Sequence, residues 1–381
     1  MNVRPIRVVM VAALALATIG VIAPEAKAGS QTYTVHIDGR PPRGEAWAFL
    51  RFFPGLQLSV HRGDVLEFSW NGTDTPHTAT VVPDSDPEAW RTTNQGPGGP
   101  YESPILDTLV GGDDGDLIEN PAEVFPSAPS CGTDTTPCAF DGTGVTSSGL
   151  RFSDPAAQPS FFVAVDAPVG TYSFLCLLHP GMELPLNVVV DTASIPTPEQ
   201  VSTSAAKLLK KAIRTDGEAA DEQAQNVVVK HAASGAATFR LNAGGFSNGT
   251  TANEFPDDPL TVHVGDKIRF SGTGEIHTAT FPRSSFKTTP FVYTVCEQPG
   301  VDTPAVSPLD CADPSAFQIV ENMEAILSTT SNRLSDPTAF VNSGLLVSRA
   351  RFTFVAKKPG TYALICLVHG PEMADRIKVL R

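Results

Sequence analysis

Two stretches decide the reading of this chain: Gly170-Thr171-Tyr172-Ser173-Phe174-Leu175-Cys176-Leu177-Leu178-His179-Pro180-Gly181-Met182, and Gly360-Thr361-Tyr362-Ala363-Leu364-Ile365-Cys366-Leu367-Val368-His369-Gly370-Pro371-Glu372-Met373. Each reads as a turn, a strand and a tight loop that presents Cys, His and Met. Upstream of each lies a second repeated stretch. LSVHRGDVLEFSWNGTDTPHTATVVP carries His77, and LTVHVGDKIRFSGTGEIHTATFP carries His277. One thiolate, two imidazoles and a weak thioether form the donor set of blue copper.

A lone Cys-x-x-His is a weak signal, since single Cys, His or Met residues near strand ends are usually packing or surface groups. Residue usage counts against that reading here. Of 5 Met, Met1 and Met10 lie in the N-terminal leader, and two of the other three fall at the axial positions. Of 8 His, four fall at the imidazole positions.

On His77, Cys176, His179 and Met182, and on His277, Cys366, His369 and Met373, the chain resembles the cupredoxins, most closely plastocyanin and amicyanin. The resemblance spans about Leu56–Pro83, Ser160–Val190, Leu260–Phe281 and Arg351–Leu380. It implies an all-β chain of two tandem Greek-key β-sandwich or barrel domains, with long loop insertions and a helical linker. It also implies two mononuclear type 1 copper sites. Three departures are visible. Thr78 and Thr278 stand where those families usually have Asn, which puts the Asn tether to the Cys loop in doubt. The Cys-to-Met loops differ, C-x2-H-x2-M against C-x2-H-x3-M, so the two coppers should differ in axial geometry and potential. Two complete sites in one chain depart from the small one-copper carriers.

A length of 381 residues suggests two or three domains. The expected division is a signal peptide at 1–28, a first domain at 29–193, a linker with an amphipathic helix at 194–235 and a second domain at 236–381. The leader has Arg4 and Arg7, an apolar run at Val8–Ala23 and an Ala26-Lys27-Ala28 cleavage site. Thr18 and Gly20 interrupt that run, which favours cleavage over an uncleaved anchor. Secretion or a periplasmic or cell-envelope location follows, with no span after cleavage. The formal net charge is −14; losing three basic residues (Arg4, Arg7, Lys27) and one acidic residue (Glu25) gives −14 − 3 + 1 = −16. This disfavours nucleic acid and anionic membranes as partners and suits a basic protein partner, although many exported proteins are simply acidic. Of 6 Cys, Cys131/Cys138 and Cys296/Cys311 form two close pairs. In an oxidising compartment each pair reads as a disulfide; a second metal site is the alternative.

Alternation marks strands at Gln31–Ile37 and Ala237–Asn242, and after each Gly-Asp turn at Val65–Phe68 and Lys267–Phe270. His61 and His263 precede those turns and point away from the core. Two long irregular segments, about Asp84–Gln158 and Arg283–Arg349, read either as partial cover over the metal or as decoration pinned by a disulfide. Within the second, Ser315–Leu327 reads as a short helix. In the linker, Thr197 caps a helix opened by Pro198, with Val201, Ala205, Leu208, Leu209 and Ala212 on one face. The acidic Asp216–Gln225 reads as mobile.

Three functions stay open. The chain is an electron carrier cycling Cu(II) and Cu(I), with a redox protein partner such as a basic cytochrome or a copper enzyme; or a copper-binding buffer of the envelope; or a copper oxidoreductase. The last fits poorly. There is no His-x-His, and Leu175, Leu177, Ile365 and Leu367 flank the two cysteines where multicopper enzymes place a bridging His. No catalytic residue is assigned, and the oligomeric state is not readable.

Overall fold

The computed structural model describes residues 29–381 apart from 56, 71, 73–74, 97–98, 102–116, 119, 152–159, 297–302, 305–310 and 313–315. The expected signal peptide lies outside the described residues.

The first half is two five-stranded sheets. One runs in the order Phe52–Phe53, Thr32–Ile37, Val65–Trp70, Phe161–Val165, Cys138–Phe140. The other runs Leu58–His61, Glu183–Val189, Gly170–Leu175, Thr80–Val82, Thr146–Ser147. Period-two alternation builds the core between them: Tyr33, Val35 and Ile37 are fully buried, while Thr34 and His36 are half-buried. Phe68 and Phe174 meet across the sheets with ring centroids 4.6 Å apart. Each such burial is worth about 1.5–3 kcal/mol relative to exposure.

The second half repeats this order except at one edge, where Val228–His231 precedes its neighbour in the chain while Phe52–Phe53 follows its own. Its sheets run Val228–His231, Ala237–Ala243, Lys267–Gly272, Arg351–Ala356, Arg333–Leu334, and Leu260–His263, Gly370–Leu380, Gly360–Cys366, Thr280–Phe281, Val341–Asn342. The repeated Gly-Asp turns do the same job in both halves. Asp64 accepts from the amides of Gln31 (2.9 Å) and His61 (2.8 Å), and Asp266 from those of Ala237 (2.7 Å) and His263 (2.8 Å). One buried carboxylate thereby ties the first strand of each half to the turn. His61 and His263 are half-buried and exposed respectively, clear of both cores.

The halves are joined by more than a tether. Trp47–Phe49 of the first pairs antiparallel with Thr250–Ala252 of the second. Leu117–Ile118, from the first insertion, pairs with Val320 and Glu321 of the second half. The Pro198–Lys211 helix starts at a capping box between Thr197 and Gln200 and buries Val201 and Ala205. Trp47, Phe49, Phe53, Ala205, Ala212, Ala220, Ala224 and Ala252 form a third small core between the two main ones.

Two expectations need correction. Asp216–Gln225 is ordered: Glu218–Gln225 is a helix whose Ala220 and Ala224 are fully buried, and Gln223 Oε1 accepts from the Phe246 amide at 2.6 Å. Its small apolar residues, not its charge, decide its packing. Ser315–Leu327 is not a helix over that span. Phe317–Glu321 is a strand pairing with Val292–Cys296, and only Met323–Ile326 is helical. Ile319 and Val320 suit a pleated surface, and pairing overrides the helical pattern. Both close cysteine pairs are disulfides, Cys131–Cys138 and Cys296–Cys311.

At the junction, Glu254 meets Asp221, Asp257 and Glu45, drawn from the second half, the linker and the first half. Burial, reinforced by these three carboxylates, raises Glu254 from 4.5 to about 8. The folded state therefore holds a proton that the unfolded chain has lost, and this group's contribution to stability falls as pH rises from 4.5 to about 8. Glu254→Gln should leave the melting temperature near the parent's at about pH 4.5 and raise it progressively up to about pH 8. Thermal melts across that range check this; a gain independent of pH would contradict it.

Candidate metal centres

Each centre lies at one corner of its sandwich, where the histidine strand meets the loop after the Cys strand. His77 sits just before Thr80–Val82 and exchanges both backbone hydrogen bonds with Arg151 at 2.9 Å. His277 holds the same place opposite Leu346. Cys176 directly follows the neighbouring strand Gly170–Leu175, and Cys366 ends its counterpart Gly360–Cys366. The first loop is closed by Cys176 N–H donating to Met182 O at 3.0 Å and Met182 N–H donating to His179 O at 3.1 Å. Gly181, with φ 81°, makes that turn; Gly370, with φ 64°, makes the turn in the second loop.

The ligand atoms of His77, Cys176 and His179 lie within 4.8 Å of one another, and so do those of His277, Cys366 and His369. In the first centre Cys176 Sγ is 3.9 Å from His77 Nδ1 and 3.4 Å from His179 Nδ1. In the second, Cys366 Sγ is 3.5 Å from His369 Nδ1. The two imidazole rings stand 4.8 Å apart in both centres. Cys176, Cys366, His77, His277 and Met373 are fully buried, Met182 is 1% and His179 8% exposed, and His369 is half-buried. The thiol and the two imidazoles of each set thus gather at one corner, and Met182 and Met373 belong to the same cores as the cysteines. Both halves have the cupredoxin fold.

The sheet order and the placement of the histidine, cysteine and methionine positions carry that statement. No family model matches the sequence and no curated protein does. Solved structures similar to the chain include auracyanin from the photosynthetic bacterium Roseiflexus castenholzii, at 19% identity over 42% of this chain and 98% of that one, TM-score 0.25. Auracyanin A, a blue copper protein from Chloroflexus aurantiacus, has 21% identity over 38% and 98%, TM-score 0.22. The copper-containing nitrite reductase of Thermus scotoductus SA-01 has 14% identity over 92% and 68%, TM-score 0.20.

The tether in doubt from the sequence is made by threonine. Thr78 N–H donates to Cys176 Sγ at 3.4 Å, and its hydroxyl accepts from the Leu177 amide at 2.8 Å. Thr278 does the same, to Cys366 Sγ at 3.3 Å and from the Leu367 amide at 2.8 Å. A hydroxyl is long enough because the two segments run this close.

Electrostatically the cupredoxin halves differ. In the first, burial alone would lower the His77 imidazole, but Asp38 and the Cys176 sulfur raise it to about 9. Burial would raise the Cys176 thiol, yet His179 and His77 hold it well below the ordinary thiol range. In the second, burial and then His369 push His277 well below the ordinary imidazole range, and burial raises the Cys366 thiol. Both ring nitrogens of His277 are buried without a hydrogen-bond partner. A buried imidazole left bare is costly, and a metal at Nδ1 relieves it. The donor set fits copper, since thiolate and imidazole suit it and the distant thioether tolerates both of its oxidation states.

Three further residues shape the sites. Arg91, on the insertion helix Pro87–Asn94, is 6% exposed and donates to the carbonyls of Cys176, Leu177 (3.4 Å) and His179 (3.4 Å). This part of the insertion therefore covers the first ligand loop. Asp38 places Oδ2 3.6 Å from His77 Nε2, and Glu275 places Oε1 3.8 Å from His179 Nε2. Glu275 stands two residues before His277, which was its one signal in the sequence. Arg91 lies in an irregular segment and had none.

The exposed edge of the first centre faces the second half. Besides the Glu275 contact, burial and then the nearby His179 charge lower His369 to about 4. Thr78→Val keeps the side-chain shape but leaves the buried Leu177 amide without its acceptor. It should destabilise the apoprotein by about 1–3 kcal/mol. Urea titration against the parent measures this, and a loss under a few tenths would refute the tether.

Proposed function

We propose that the chain is an exported electron-transfer protein that holds two type 1 copper ions. One is held by His77, Cys176, His179 and Met182, the other by His277, Cys366, His369 and Met373. The observation that carries this reading is that each half brings one thiol and two imidazoles within 4.8 Å in a corner where the cysteine and the remote histidine are fully buried. Copper would supply a reversible one-electron couple. The protein's part is to hold the donors where they need move little. The sandwich fixes the remote histidine, the Thr78 and Thr278 amides donate to sulfur and set its electron density, and the buried ring edges keep water out.

Burial also separates this reading from copper buffering, which needs a site that opens to release its ion. Among the described residues the metal-ligating groups are these two, and an oxidoreductase is the second reading. The remaining histidines His36, His61, His231 and His263 are not gathered with one another in any such group. Two disulfides support export to an oxidising compartment, and no helix among the described residues is long and apolar enough to cross a membrane. A redox protein that exchanges single electrons is the proposed partner.

The mature protein should bind two coppers. Cys176→Ala and Cys366→Ala should each retain one and lose part of the intense visible thiolate-to-copper band. Metal analysis with the absorption spectrum measures both; a cysteine variant that keeps both ions and the full band would sink the assignment of that site. Steady turnover of nitrite or a phenol by the loaded protein would favour an enzyme instead.

A further inference from the structure

The two halves share the parallel pair of strands that leads to one matching backbone position, and there they differ in charge. Ile37 pairs with Trp70, and Ala243 pairs with Gly272, so Asp38 and Gly244 are counterparts in the repeat. Both adopt the left-handed conformation, at φ 61° and 70°. Asp38 is fully buried, and its Oδ1 accepts from the Gly39 and Phe49 amides at 2.6 Å each. These bonds aim Oδ2 at the outer nitrogen of His77, 3.6 Å away. At Gly244 no carboxylate exists, and a Cβ there would collide with His277 Nε2. The outer nitrogen of the other first-half histidine, His179, faces a second carboxylate, Glu275, at 3.8 Å. Both imidazoles of one centre are thus backed by carboxylates, while His277 of the other is backed by bare backbone.

A carboxylate behind a ligand imidazole makes that imidazole the stronger donor and adds negative charge to the site, and both effects favour the more highly charged ion. Two cations on the same half pull the other way. Arg91 donates to backbone carbonyls and to Gln95, which in turn donates to Glu123 at 2.8 Å. Arg151 lies over the rings of Trp70 and Phe161, at 5.4 and 5.3 Å. Neither stands at a ligand nitrogen, so the carboxylates dominate.

Resting on the two-copper reading above, we propose that Asp38, with Glu275, makes the first-half centre the one of lower potential, so that a single electron shared by the pair resides on the second half. The sharing moves one electron and no proton: the first centre is oxidised as the second is reduced. The Glu275 contact places the exposed edge of the first centre against the second half, which makes the exchange internal to one molecule. Asp38 and Glu275 are positioning residues that act through the histidines.

The test uses the full copper-loaded chain and spectroelectrochemical titration. Cys366→Ala isolates the first centre and Cys176→Ala the second. The first should titrate at a lower potential, by at least the about 59 mV that corresponds to a tenfold preference for the electron on the second half. Asp38→Asn keeps the side-chain shape, tolerates the left-handed backbone and retains an acceptor for Gly39 and Phe49. In the Cys366→Ala background it should raise the first potential with the visible band retained, and in the Cys176→Ala background it should leave the second unchanged. Glu275→Gln should raise the first potential as well. Should Asp38→Asn fail to fold, the order of the two potentials and the Glu275→Gln shift decide. Equal or reversed potentials, or conservative variants that keep the band and do not shift the first potential, would overturn the proposal. Failure of both cysteine variants to bind any copper would instead remove the two-copper reading itself.

Discussion

Each metal corner depends on keeping a buried thiol beside an imidazole that arrives from far away in sequence, 99 residues in the first half and 89 in the second. Chain entropy works against so distant a pairing, and a buried thiol and imidazole left to themselves gain little from meeting. The residue after the histidine resolves this in both halves. Its amide reaches the sulfur and its hydroxyl takes the next amide of the cysteine loop, so two neighbouring strands of one sheet are stitched at the point where the donors converge. The stitch is itself supported. Thr80 donates to Thr78, and Thr278 and Thr280 share a hydrogen bond at 2.9 Å, which fixes each hydroxyl's direction. The donor geometry is therefore a property of the folded polypeptide before any ion arrives.

The same scaffold supports unequal electrostatics. In the first half, Asp38 and the Cys176 sulfur raise the His77 imidazole against the effect of burial, and His179 and His77 hold the Cys176 thiol low; in the second half, burial lowers the His277 imidazole and raises the Cys366 thiol. This difference comes from side chains just outside the donor set, because the donors and the strands that bear them are the same.

Much of this was legible in the sequence, because period-two alternation and the repeated Gly-Asp turns depend only on local chemistry. The donors were legible because Cys, His and Met are rare here and fall at loop spacing in both copies. What the sequence hid was of three kinds. Asp38 looks like an ordinary turn residue after a strand, and only the parallel crossover that lays Thr32–Ile37 beside Val65–Trp70 shows it to His77. Arg91 sits in an insertion with no repeat partner to mark it. The docking of the halves rests on three-residue strands and on alanines, two of them in the stretch that read as acidic and mobile. Short edge pairings and small-residue packing leave little trace in composition, since their energy comes from partners far away in the chain.

The pairing of Trp47–Phe49 with Thr250–Ala252 also bears on how the molecule is made. The ribosome delivers Trp47–Phe49 some 200 residues before the strand that completes its pairing. During that interval the growing chain carries an open strand edge flanked by Trp47, Phe49 and Phe53, side chains that the finished protein buries. Such an edge can recruit another copy of itself. Emergence of the linker helix, whose Ala205 and Leu209 join that cluster, covers part of it first. The segment that reads as a connector thus packs on the half that precedes it with residues that leave the ribosome before the pairing strand does.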